Sequence, residues 1–517
     1  MVSHHNIVIL EIQALNSKKP KIKPKKFDIF CFRYYYIVHY RSFFQVGMFV
    51  KNIGILSHRG FIRFFIVVFA GLCASLLGAG SSIAVTSSQT IYPVAVDGYL
   101  STRYVYRSTT LLDPTTLIEK KISDQDLFGE MRFSITMPKT NRFEFHFLGT
   151  LRKDLDANSD LTGFYPLEDI GNTYRTESHG YLYDAHLGIN KLFPFLPQVR
   201  IGRQAGLRDE PVFFDGLATD LRVGSLLNLT LYGGAAVRFY DTDTHWGDDT
   251  LAGAGLDISP ARYTKFGFDY LAIKSALTTT IDQGNNMVSL KLWQSIGTFM
   301  KASVKYRYLD SDPRDVTVRL ISTIAPADME VNLNYFKQFK IENVLATELS
   351  LYSSVLGRSS PYQSYDVKLR KQLGAHYAVD LGYFKRVLQE ELQASAFDRD
   401  YSRVFMLLEI MDLPADRVSF TLTGEQWSTK GRKYNSSGLD IGYRFMNRKN
   451  ASVNAGTYYS LYKYDYYNEL GLREKIHTYY VNGKVPLGKG VSINSSYEYE
   501  DSLENYQMFK LGMRYDF

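Results

Sequence analysis

Two stretches of this chain concentrate residues that could do chemistry. Asp241-Thr-Asp-Thr-His-Trp-Gly-Asp-Asp249 packs four carboxylates into nine residues. Asp241, Asp243, Asp248 and Asp249 offer the oxygen donors that Ca²⁺ collects. Their spacing is not that of an EF-hand loop, so a solvated acidic loop is the simpler reading. Arg200-Ile-Gly-Arg-Gln204 is followed by Phe214-Asp-Gly-Leu217. In extended chain Arg200 shares a face with Gly202 and Gln204, and Arg203 shares the other with Ile201. Arg200 or Arg203 can then reach Asp215 or Asp220, and the pair reads as a structural ion pair holding a loop rather than a solute site. His146 and His186 fall at polar positions and read as members of a polar network. No G-x-S-x-G, H-E-x-x-H or P-loop pattern occurs, and an enzyme is not expected.

The rest of the chemistry is charge in strict alternation with apolar residues. Phe143, Phe145, Phe147 and Leu151 alternate with Arg142, Glu144, His146, Thr150 and Arg152. Ala302, Val304, Tyr306 and Tyr308 alternate with Lys301, Ser303, Lys305 and Arg307. A period of two belongs to strands with one oily and one wet face. The wet faces carry Arg103, Arg107, Glu130, Arg132, Arg142, Glu144, Arg152, Lys265, Lys301, Lys305, Arg307, Asp366, Lys368, Arg370, Arg444 and Arg514. Asp184, Asp220, Asp269, Glu330 and Asp440 oppose them. The balance on these faces leans basic.

No segment from 96 to 517 carries a helical period. Ten short turns, from 138–142 to 487–490, alternate with eleven longer polar connections, from 109–124 to 500–505. Eleven hairpins make 22 strands. The strand-like stretch 349–356 inside the connection 341–362 widens the range to 20–24. Aromatics are 15% of the residues, with 39 Tyr and 3 Trp. Tyr104, Tyr106, Tyr458, Tyr459, Tyr462 and Tyr464 lie near predicted strand ends, where amphipathic rings suit a membrane interface.

Residues 1–84 differ from the rest. Lys51, Arg59 and Arg63 precede an apolar run over 64–77, and small residues follow to Ala84. That is the pattern of a secretory signal peptide over 48–84, cut after Ala84 or Gly80. The run is shorter than the roughly twenty residues that span a bilayer. Met48 is a natural start, and 1–47 read as an over-called translation start. The whole chain carries a net charge of +7, but 1–84 hold eleven basic and two acidic residues. The remaining 433 residues have 49 against 51, a net of −2. A nucleic-acid partner is therefore not expected. Cys31 and Cys73, the two cysteines, both lie in 1–84. Residues 85–517 thus lack the ligands for iron–sulfur clusters, Cys-held zinc or c-type haem, and no cofactor is expected.

The chain ends on a strand whose oily face is Phe509, Leu511, Met513, Tyr515 and Phe517. This resembles the C-terminal signature of bacterial outer-membrane β-barrels, with Tyr515 and the final Phe517 as the signal read by the barrel assembly machinery. The segment from Arg200 to Leu217 is similar to one found in large porin-like barrels. The resemblance implies an all-β fold: a transmembrane antiparallel up-and-down barrel over 85–517, in the bacterial outer membrane, facing lipid outside. It implies a channel for passive diffusion of hydrophilic solutes, and the basic lean of the wet faces favours anions. In size and lack of an N-terminal plug the chain also resembles the barrels of porin–cytochrome conduits. That alternative implies a sheath for periplasmic and extracellular multihaem cytochromes in trans-outer-membrane electron transfer. An outer-membrane enzyme is the third and least favoured reading. Connections 153–179 and 341–362 are the candidates for narrowing the lumen.

Overall fold

A period of two collects every apolar side chain of an extended segment on one side. Twenty-two such segments form strands in the computed structural model. It describes residues 94–517 apart from 113–118, 138–141, 157–166, 168–169, 171–175, 207, 209–211, 238–248, 275–283, 341–359, 390–399, 430–431, 446–450, 463–473 and 503–504. The expected leader and signal peptide over 1–84 lie outside the described residues. So do the strand-like stretch 349–356, most of the connections 153–179 and 341–362, and Tyr464.

The strands are β1 (Ala95–Leu112), β2 (Glu119–Thr136), β3 (Phe143–Asp154), β4 (Ser178–Phe193), β5 (Leu196–Ala205), β6 (Phe213–Val223) and β7 (Leu227–Ala236). Next come β8 (Thr250–Ala261), β9 (Thr264–Lys274), β10 (Gly284–Ile296), β11 (Met300–Leu309), β12 (Asp312–Ile324), β13 (Met329–Gln338), β14 (Tyr362–Leu373) and β15 (Tyr377–Leu388). The last are β16 (Tyr401–Met411), β17 (Val418–Thr429), β18 (Arg432–Arg444), β19 (Ser452–Tyr462), β20 (Glu474–Gly488), β21 (Val491–Asp501) and β22 (Tyr506–Asp516). Each pairs antiparallel with the next, and β22 pairs with β1 from Tyr99↔Asp516 to Thr109↔Tyr506. Gly98 N donates to Phe517 O at 3.1 Å, and Phe517 N donates to Gly98 O at 3.0 Å. The sheet is therefore closed, which removes the unpaired edges that an open sheet exposes. The fold is a 22-strand antiparallel β-barrel.

One end of the barrel has tight turns. Gly224 (φ +58°) and Gly374 (φ +71°) follow β6 and β14, and no atom lies within 4 Å of a Cβ placed on either. The left-handed backbone, not crowding, is what selects glycine there. The other end carries most of the longer connections, but three are shorter than the sequence suggests. The expected connection 309–315 is a two-residue turn, Asp310-Ser311, with φ of 50° and 72°. Asp310 secures it, because Asn285 Nδ2 donates to its Oδ2 at 2.7 Å and Asn286 N to its Oδ1 at 2.6 Å. The expected 109–124 shrinks to 113–118 and 428–436 to 430–431, because strand pairing runs on past the polar residues. Polarity marks solvent there, not the end of the ladder.

The two faces separate cleanly. Val404 (53% exposed), Met406 (50%), Leu381, Val367, Leu422 and Ile441 lie on the outer face. An exposed apolar belt around a closed barrel is what meets lipid hydrocarbon. Tyr104, Tyr106 and Tyr459 share this face by register. Tyr458 does not: it pairs with Gly438 on the opposite face. The expected tyrosine girdle loses it because one residue along a strand reverses the side.

Candidate functional site: the inner face of the barrel

Register fixes which side chains share the inner face, because directly paired residues point the same way. Ser101 pairs with Glu130, and Glu130 with Thr150. Followed strand by strand, the same face returns through Ser492 and Arg514 to Ser101. The circuit closes without a change of side. Arg103, Arg107, Glu130, Arg132, Glu144 and Arg152 fall on it from β1 to β3. Lys265, Lys301, Lys305 and Arg307 fall on it from β9 to β11, and Asp366, Lys368, Arg370, Arg444 and Arg514 from β14 to β22. Arg142 stands apart, one residue before β3 at the tight-turn end, where its carbonyl accepts from Asn190 N at 2.7 Å.

Many of these charges are paired across strands. Arg307 grips Asp315 through Nε and Nη2 at 2.7–3.0 Å, with the carboxylate 2% exposed. Arg370 holds Asp380 at 2.9 Å and Glu409 at 2.6 Å. Arg208 reaches the wall of β8 and β9, bonding Asp257 at 2.8 and 3.2 Å and also Asp269. Lys291 joins Asp269 at 2.7 Å. Near these, Phe214, Leu251, Leu271, Ile273 and Met287 form a buried apolar cluster, with Tyr232 stacked on Phe214 at 5.5 Å. The expected link in the Arg200–Leu217 segment is present twice. Arg203 forms a bidentate pair with Asp215 at 2.6 Å on the outer face, and Arg200 stands 3.9 Å from Asp220 on the inner one.

His146 and His186 are register partners on β3 and β4, with rings stacked at 4.8 Å. His186 Nδ1 lies 2.5 Å from Asp184, and His146 Nε2 lies 3.6 Å from Glu144. Among the described residues no cluster of His, Cys, Asp or Glu is arranged to hold a metal ion. Asp241, Asp243 and Asp248 lie outside the described residues. Asp249 is buried, and its carbonyl accepts from Ala236 N at 3.0 Å.

An acidic corner sits where β2 and β3 meet the longer connections. Asp124 and Asp126 are fully buried, and both pair with Arg107. Asp156, just past β3, donates its backbone N–H to Asp154 at 3.0 Å. Its carboxyl is pushed up to about 7, first by burial, then by the hydrogen bond to Asp154 and the charges of Asp124 and Asp154.

The inner face also carries cations outside the sequence-based set: Lys291, Arg319, Arg386, Arg403, Lys484 and Lys510. Alternation alone could have found Lys484, since Tyr480, Asn482 and Lys484 keep one phase. Arg403 and Trp427 were hidden because β16 and β17 mix apolar residues into both faces. There Arg403 lies 5.1 Å from the Trp427 ring and pairs with Glu425, and Arg386 lies 4.1 Å from the Tyr362 ring.

No family model and no curated protein matches this chain. Solved structures similar to it include the translocation pore of the P pilus usher PapC, at 8% identity and TM-score 0.45, covering 81% of this chain and 99% of that one. Pseudomonas aeruginosa OpdK with vanillate is similar at 11% identity and TM-score 0.39, covering 82% and 98%. A BenF-like porin from Pseudomonas fluorescens Pf-5 is similar at 11% identity and TM-score 0.40, covering 82% and 98%. The chain is a porin-like outer-membrane β-barrel. Its own architecture says so: an even-numbered closed ring, an apolar outer belt and a wet inner wall suit the bacterial outer membrane.

Proposed function

We propose that the barrel is a passive channel for hydrophilic solutes with a preference for anions. The observation that carries this reading is the distribution of unpaired charge on the inner wall. Among the described residues, the buried acids Asp124, Asp126, Asp269 and Asp315 all have basic partners. Lys301, Lys305 and Arg319 on β11 and β12, and Lys484 and Lys510 on β20 and β22, have none. In a ring of 22 strands, β11 and β12 lie opposite β22 and β1. Uncompensated cations thus face the lumen from two sides and raise the local concentration of anions. No catalytic constellation accompanies them, which favours a non-enzyme role.

Single-channel recording in planar bilayers tests both parts. Stable conductance with a reversal potential shifted toward that of chloride in a KCl gradient is expected. Absence of conductance refutes the channel, and a shift toward potassium refutes the anion preference.

Ring width supports one second reading. Barrels of 22 strands usually hold a filling, and every described strand here is in the wall. A sheath for multihaem cytochromes would use that space. Co-purification of haem proteins with the barrel would favour it over free diffusion.

A further inference from the structure

We infer that the seam where β22 closes on β1 carries a binding site for a small polyanion. The inference rests on the channel reading for its access route, but the site is argued from its own residues. A recess of about 610 Å³ opens in the inner wall from β19 through β22 and β1 to β3. Its floor is Gly512, which faces inward without a side chain between Arg103 on β1 and Asn494 on β21. Along β22 the hollow is flanked by Lys510 on one side and Arg514 on the other. Across it, Lys484 pairs by register with Asn494. A glycine ringed by long cationic side chains makes a pit whose rim can fold over an anion.

Charge accounting makes the pit unusual for this wall. Five cations line it (Arg103, Arg152, Lys484, Lys510 and Arg514), against a single carboxylate, Glu130. Glu130 already accepts from the Tyr99 hydroxyl. Arg514 is matched by Asp516 at 2.8 Å and lies 3.8 Å from the Tyr99 ring. Arg103 packs on the Phe128 ring at 4.8 Å. Lys484 and Lys510 are in no ion pair or hydrogen bond among the described residues. Glu498, also on the inner face, pairs by register with Met508 beyond Lys510 and does not line the pit. Setting Arg514 against Asp516, and Glu130 against one of the other four cations, leaves three positive charges. Asn454, Asn482 and Asn494 supply neutral side-chain donors beside them. A compact oxyanion with two or more negative charges matches this set. Chloride, with one charge and no geometry for several donors, matches it poorly.

Pyrophosphate is the probe, used on the full chain in two independent measurements. Calorimetric titration of the detergent-solubilised barrel is expected to show saturable binding. In planar bilayers, pyrophosphate is expected to block current that chloride at equal ionic strength leaves intact. Lys484→Gln/Lys510→Gln is expected to weaken both the binding and the block by about tenfold or more, the loss of one charge-assisted contact. Lys337→Gln/Lys385→Gln, which removes two charges from the outer face, is expected to change neither. Binding that is absent in the wild type, or equally strong in both double variants, overturns the site even if the channel conducts. Conductance that is absent while binding persists and depends on Lys484 and Lys510 overturns the channel reading and leaves the site standing. Lys510→Arg guards against a folding artefact: it keeps the charge and is expected to retain binding.

Discussion

Gly216 is the position where a single methyl group should do most damage. Gly202, Gly216 and Gly234 are register partners across β5, β6 and β7, all on the inner face. A Cβ on Gly216 would lie 2.0 Å from Gly233 O and 2.7 Å from Gly234 Cα. Both obstacles are backbone, so no rotamer relieves them. An ordinary contact needs more than 3 Å, and β6 and β7 would have to part by roughly an ångström. Overpacking of this kind costs about 1–3 kcal/mol. Loss of one or two ladder hydrogen bonds adds about 1 kcal/mol each. We expect Gly216→Ala to destabilise the barrel by about 3 kcal/mol, a factor of roughly 100 in the folded-to-unfolded ratio. Gly424→Ala is the control. No atom lies within 4 Å of its added Cβ, and its φ is unstrained. It should be neutral, or stabilising by about 0.5 kcal/mol through the unfolded state. Urea unfolding in detergent micelles, followed by tryptophan fluorescence and by gel mobility of the unheated protein, separates the two. Equal midpoints for the two variants would refute the idea that close strand approach at β5–β7 selects glycine.

Burial should rank the ion pairs. Arg307→Met leaves the buried Asp315 carboxylate with only Arg314 at 3.6 Å, and is expected to cost about 3 kcal/mol. Arg444→Met breaks a pair with Asp412 whose side chains are 66% and 41% exposed, and is expected to cost less than about 1 kcal/mol; the same urea titration compares them, and a reversed order would sink the ranking. Asp156 should make stability pH-dependent. Its carboxyl rises from 3.8 unfolded to about 7 folded, so the folded state binds the proton more tightly. Stability should therefore fall as pH climbs from about 4 to about 7 and level off above. Thermal midpoints of wild type and Asp156→Asn between pH 5 and 8 test this, and parallel curves would exclude Asp156 as the source.

Strand count, closure and sidedness were legible in the chain because each is a local or nearly local property. A period of two needs only neighbouring residues to declare a face, and the turn pattern needs only the residues between them. Hence β15 ends and β16 begins where the polar run 389–400 says, and Phe517 does lie beside β1. The lengths of hairpin arms were less legible. Asp310-Ser311 reads as part of a loop, and only the asparagines of β10 that bind Asp310 show it to be a tight turn. Tyr458 was misjudged for the same reason as any residue near a strand end, since its side depends on a phase set by the partner strand.

The sequence by itself determined a lipid-compatible barrel and the charged set on its wet faces. The tertiary structure decided which of those charges are spent. Whether a lysine has a carboxylate beside it depends on strands far apart in sequence, such as Arg370 with Glu409 or Arg208 with Asp269. The hollow at Gly512 exists only because β22 meets β1, the pairing of the two ends of the barrel. Coulomb attraction acts between neighbours in space, and alternation along a chain carries no record of who those neighbours are.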